Sequence, residues 1–180
     1  MPAASPPDRP PRAEEGPTGR WKIARACVVH VPQEAQDAAV AAIREALRRA
    51  HLHPAPERAS AAKTAQTGES LDVWERGDVV SEALLDNTGL SLFVSRIGPL
   101  SLKAVVVVTS RPEARRWRII VSMVVGSQLS DEISREVDAA IDALVAGGIR
   151  IDGPGWMRVA DLTRDTLAHP KTAREHGIRA

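Results

Sequence analysis

Two runs rich in β-branched residues, 100–109 with Val105-Val106-Val107-Val108 and 117–125, are separated only by the polar stretch 110–116. Parallel strands need a crossover of a dozen residues or more, so so short a link commits the two runs to an antiparallel pair. A further run, 90–97, precedes them across Gly98-Pro99, which predicts a meander. In the last run Trp117, Ile119, Val121, Met123 and Val125 alternate onto one apolar face.

The flanks supply the rest of the fold. Residues 21–31 alternate as a strand ended by Pro32, with Trp21, Ile23, Cys27, Val29 and Val31 on one side and Lys22, Ala24, Ala26, Val28 and His30 on the other. Residues 33–50 place Val40, Ile43, Leu47 and Ala50 on a helical stripe. Residues 130–146 form a second helix, with Ser130 as N-cap, Asp131 and Glu132 in its first turn, a stripe of Ile133, Val137, Ile141 and Leu144, and Gly147-Gly148 as its left-handed stop. Residues 71–74 are a short strand candidate. Residues 78–85 read either as a short helix capped by Asp78 and burying Val79, Val80, Ala83 and Leu84, or, the preferred reading, as a hairpin arm leading into the turn 86–89. Residues 149–151 could add a last strand, 152–156 a turn, and 161–167 a short helix broken by His169-Pro170.

This order, β-α-β-β-β-β-α, predicts an α+β two-layer sandwich: an antiparallel sheet of about four to six strands with two main helices on one face. Residues 1–19 hold six prolines and no apolar periodicity, and read as a disordered head. Residues 20–168 form a single domain interrupted by a flexible loop at 54–70, which lacks any apolar side chain larger than alanine. Residues 169–180 read as a polar, mildly basic tail.

The second sheet face is the informative one. It carries Lys22, Val28, His30, Val105, Val107, Ile120 and Val124, with Lys103, Thr109, Arg118 and Ser122 interspersed. That is too apolar for a face in water and too polar for a closed core. Three readings follow. The 149–180 segment, through Ile151, Trp156, Met157, Val159, Leu162 and Leu167, covers it; or Val105, Val107, Ile120 and Val124 form an interface with a partner or a second copy; or a small-molecule pocket lies between the sheet and that segment.

Chemistry is sparse. No nucleophile elbow, phosphate loop, zinc-protease helix or dinucleotide fingerprint occurs. The single cysteine excludes an intrachain disulfide. Cys27 and His30 stand three apart on one strand, so their side chains point to opposite faces. His51 and His53 lack a carboxylate or thiolate partner, and no metal or cofactor is expected. The tip residues Arg115, Arg116 and Arg118 could grip an anion or nucleic acid, but a net charge of +1 argues against nucleic acid. No apolar run is long enough to span a membrane, and no signal-peptide core is present. The leading expectation is a cytoplasmic, non-catalytic protein-binding or adaptor domain, homodimeric through the sheet face. The alternatives are an anion or nucleic-acid binder using 111–118, and a small-ligand protein or enzyme with a pocket under 149–167.

Overall fold

Alternation in the first described strand, Arg25–Pro32 (β1), buries Cys27, Val29 and Val31 on one side and Ala26 and Val28 on the other. The computed structural model describes residues 24–62, 68–77, 103–126 and 129–178. After a 3-10 turn at Gln33–Ala35 come helix α1 (Gln36–Arg49), a two-residue strand β2 (His53–Pro54) and helix α2 (Pro56–Ala62). Strands β3 (Ser70–Arg76), β4 (Ala104–Glu113) and β5 (Arg116–Val125) follow, then helix α3 (Ser130–Ala146) and strand β6 (Asp152–Arg158). A 3-10 turn at Val159–Asp161 and helix α4 (Pro170–Glu175) complete the described elements.

The six strands form one sheet in the order β2-β3-β4-β5-β1-β6, with every neighbouring pair antiparallel. The molecule is an α+β sandwich. Its main core joins Cys27, Val29, Val31, Trp74, Val106, Val108, Ile119, Val121 and Met123 of the sheet to Ile43 and Leu47 of α1 and Ile133, Val137 and Ile141 of α3. Each such side chain, fully buried, stabilises the fold by roughly 1.5–3 kcal/mol. The buried Arg76 ties the two helices together: its Nη1 donates to Ala50 O at the end of α1 (3.1 Å) and to Glu132 Oε1 in the first turn of α3 (3.0 Å).

Several expectations are corrected. The stretch 110–116 is not a loose connection: β4 runs to Glu113 and β5 starts at Arg116. The loop expected at 54–70 contains α2 and the start of β3, because Ala55 and Ala59, small as they are, pack against Leu71 and Val73. Residues 152–158 form an edge strand instead of a turn, and 149–151 do not. Ser130 is the buried first residue of α3, whose N-cap is Leu129. His169-Pro170 starts a helix instead of breaking one, His169 Nδ1 accepting the Lys171 N–H at 3.2 Å. Beyond it, Thr172, Ala173 and Ile178 are buried, so 169–178 is not a solvated tail. Val125 packs with the second face because the β4–β5 register shifts between Val105 and Val106. The head 1–19, residues 21–23 and the arms at 78–85 and 90–97 lie outside the described residues.

Candidate functional site

The same alternation that fills the main core puts Val28, Val105, Val107, Ile120, Leu71 and Val73 on the opposite face. Residues 159–178 lie over it. Leu167, Ala173 and Ile178 join Val105 and Val107 in one cluster, and Val159, Leu162 and Ala168 join Val28 and Ile120 in another. Val105 and Val107 are 0% exposed and Ile120 is 2% exposed. They are therefore not a free interface. The chain covers them itself, and only Val124 is half-buried at the margin. The cover is narrower than 149–180: Ile151 and Trp156 pack on the first face, and the Trp156 indole N–H donates to Asp138 at 3.1 Å.

At the hairpin end of this face the apolar rows give way to charge. Pairing sets Asp152 beside His30, His30 beside Arg118, and Arg118 beside Arg111. The Ser70–Ser110 pair then brings Glu69 next to Arg111. Polar residues thus run in a row across the sheet. Glu113, two residues past Arg111 on the same side, bridges the row. Its Oε2 stands 3.2 Å from His30 Nε2, and its Oε1 lies 3.1 Å from Arg111 Nη2 and 3.2 Å from Arg118 Nε. Asp152 binds Arg116 and stands 4.0 Å from His30 Nδ1.

The covering segment reaches into this row. Asp165 Oδ2 accepts from Arg111 Nη2 at 2.9 Å, Glu69 Oε2 accepts the Leu167 N–H at 2.9 Å, and the hydroxyls of Thr109 and Thr166 are 3.4 Å apart. Burial raises the pKa of Glu113, but the Arg111 hydrogen bond and the Arg118 charge outweigh it and hold the carboxyl below its usual range. Asp165 is also lowered, first by the Thr163 hydroxyl and then, against burial, by Arg111 and Arg118. Burial pulls Arg111 down, and its bonds to Asp165 and Glu113 raise it further than that.

Arg118 is met incompletely. Its Nη2 lies 3.8 Å from Glu69 Oε1 and 3.9 Å from Asp165 Oδ2. Arg118 Nε and Nη2 and Glu69 Oε1 are buried, and none of them makes a hydrogen bond to a described residue.

The arginines expected to act together are not gathered. Arg115 is exposed in the hairpin turn, Arg116 pairs with Asp152, and Arg118 turns inward. Four carboxylates (Glu69, Glu113, Asp152, Asp165) face three guanidinium groups and one imidazole, so the row offers no cationic excess to an anion. Cys27 lies on the opposite face from His30, and burial, aided by the Asp138 charge, drives its thiol far above the ordinary range. Among the described residues, no group of three or more His, Cys, Asp or Glu could hold a metal ion, and no helix is long and apolar enough to cross a membrane. A cleft of about 280 Å³ lies beside β3 and α2, away from 149–167, and its cations are engaged: Arg44 with Asp72 at 2.7 Å, and Arg48 stacked 5.6 Å over the Trp74 ring.

Glu69 was not singled out from the sequence; Arg111 and Glu113 lay within the 111–118 tip, but their partners Asp165 and His30 were not read with them. The signal was there for one pair. A two-residue turn at Ala114-Arg115 sets Arg111 opposite Arg118, but neither turn residue advertises a hairpin. Compared with family models, curated proteins and solved structures, the chain matches none.

Proposed function

We propose that the protein works by binding, and that its second sheet face is a docking surface which residues 159–178 occupy in cis. The observation that carries this reading is the division of the core. The main cluster closes on α1, α3 and the first sheet face, and Ile151 is its last fully buried member. Among the described residues, the covering segment's buried side chains enter two smaller clusters, its polar groups enter the charged row, and its Val159 N–H donates to Ala24 O beside β1. Displacing it therefore leaves the main core intact. The floor it vacates is Val28, Val105, Val107 and Ile120, ringed at one end by His30, Arg111 and Arg118. That is an apolar centre with a charged rim, the usual anatomy of a protein interface.

The test uses the full chain carrying Leu167→Asp, which puts a charge at a site 1% exposed. A labelled peptide of residues 159–178 is expected to bind this variant saturably. Wild type is expected to bind it far more weakly, because the tethered segment competes at a high effective concentration. If the variant loses its cooperative melt together with the α1 and α3 helical signal, the face is ordinary core and the reading is wrong.

A further inference from the structure

Residues 159–178 do not fit the charged row well, and the misfit describes what would. Asp165 reaches Arg111, but its Oδ2 stands 3.9 Å from Arg118 Nη2, outside hydrogen-bond range. Arg118 Nε and Nη2 and Glu69 Oε1 sit in ion pairs, Nε 3.2 Å from Glu113 Oε1 and Nη2 3.8 Å from Glu69 Oε1, but make no hydrogen bond to a described residue. A buried ion pair offsets its desolvation fully only when its geometry is good and its donors are hydrogen-bonded.

We infer that the face is built for a segment of a different protein, one presenting a glutamate-length carboxylate where Asp165 now stands and an apolar side chain two residues further on. The inference rests on the docking reading above. One more carbon–carbon bond extends the carboxylate by about 1.5 Å, enough to close the gap to Arg118 while keeping Arg111. The apolar side chain follows Leu167, which is buried among Val105 and Val107 while its N–H is held by Glu69. A second copy of this chain would bring the same short aspartate and leave Arg118 Nη2 without its hydrogen bond, so the misfit points away from self-association.

In the otherwise native full chain, Asp165→Glu is expected to raise Tm by about 3 °C, the effect of roughly one charge-assisted hydrogen bond in a domain of this size. The same change made together with Arg118→Met is expected to give no gain over Arg118→Met alone. Against the full-length Leu167→Asp variant, a 159–178 peptide carrying Asp165→Glu is expected to bind about tenfold more tightly than the native peptide. If both peptides bind equally and Asp165→Glu leaves Tm unchanged, the glutamate inference is overturned and the docking reading stands. If neither peptide binds, the docking reading falls and takes the inference with it. A wild-type dimer by light scattering that dissociates on Leu167→Asp would overturn the choice of a different protein in favour of a second copy.

Discussion

Three helices end on the same backbone device, and one of them uses it without glycine. At α3, Gly148 takes φ +87° while its N–H reaches Val145 O and the Ile149 N–H reaches Leu144 O, both at 3.0 Å. Gly177 does the same after α4 at φ +85°. At α1 the left-handed residue is His51, φ +59°, with the Leu52 N–H on Leu47 O at 3.0 Å. A side chain in this conformation costs roughly 1–2 kcal/mol. His51→Gly is therefore expected to raise unfolding stability by about 1 kcal/mol, and Gly148→Ala to lower it by a similar amount, both read from urea midpoints. The asymmetry also explains what could be read in advance. Gly147-Gly148 announces its stop in the sequence, whereas a histidine or an alanine in the left-handed region announces nothing. Ala114, at φ +53° in the hairpin turn, is the second such case. Because that turn was silent, so was the alignment of Arg111 with Arg118, and with it the charged row.

Elements built on ordinary alternation or a wide apolar stripe (β1, α1, β5, α3) were legible. The missed ones are made of residues with two meanings. Proline ends helices and also begins them. The sequence alone could not tell that His169 supplies the acceptor that starts α4 at Pro170. Gly153-Pro154-Gly155 has the composition of a turn, yet it lies in β6. A Cβ at Gly153 would stand 2.8 Å from Val28 O and 3.1 Å from His30 Nδ1, so the glycine is what lets this strand lie against β1.

The α4 cap also sets a pH dependence. Burial, then the charges of Arg164 and Lys171, lower His169 below its ordinary value of 6.5, with Glu175 opposing. The unfolded chain thus takes up a proton that the folded chain refuses. Stability is full above about pH 6.5 and falls as the pH drops through that value. Protonation also removes the Nδ1 lone pair that accepts the Lys171 N–H. Glu113 and Asp165, both lowered, add a second loss in the same direction at more acid pH. His169→Asn keeps a capping acceptor without a titrating group, and is expected to flatten the first loss in a series of urea melts between pH 7 and pH 5 while leaving the second.

At the scale of the whole molecule, alternation correctly divided most of the strand side chains between two faces. It could not say what lay over the second. The covering segment has no regular period, and its path is fixed by scattered contacts: Leu162 and Leu167 in separate clusters, Asp165 on Arg111, Leu167 N–H on Glu69. The division of the core predicts an order of opening. Amides of 166–178, including Ala173 and Ile178, are expected to exchange with solvent at lower free energy than those of β4 and β5 in native-state hydrogen exchange. Exchange of both sets at one common free energy would mean that the segment and the sheet open as a single unit.

The strand order also bears on how the chain is made. β1 leaves the ribosome before every other strand of the sheet, yet its two neighbours are β5, at 116–125, and β6, at 152–158. Until those emerge, the Cys27–Val31 stretch carries bare amide edges on both sides and an apolar face, which is the pattern that recruits foreign strands. The β4–β5 hairpin is local and closes quickly, while the docking of β1 onto it must first close a long loop. The nascent protein is thus most exposed to misassembly through the strand that ends up next to the middle of its finished sheet, and a chaperone that shields early chains would matter most there.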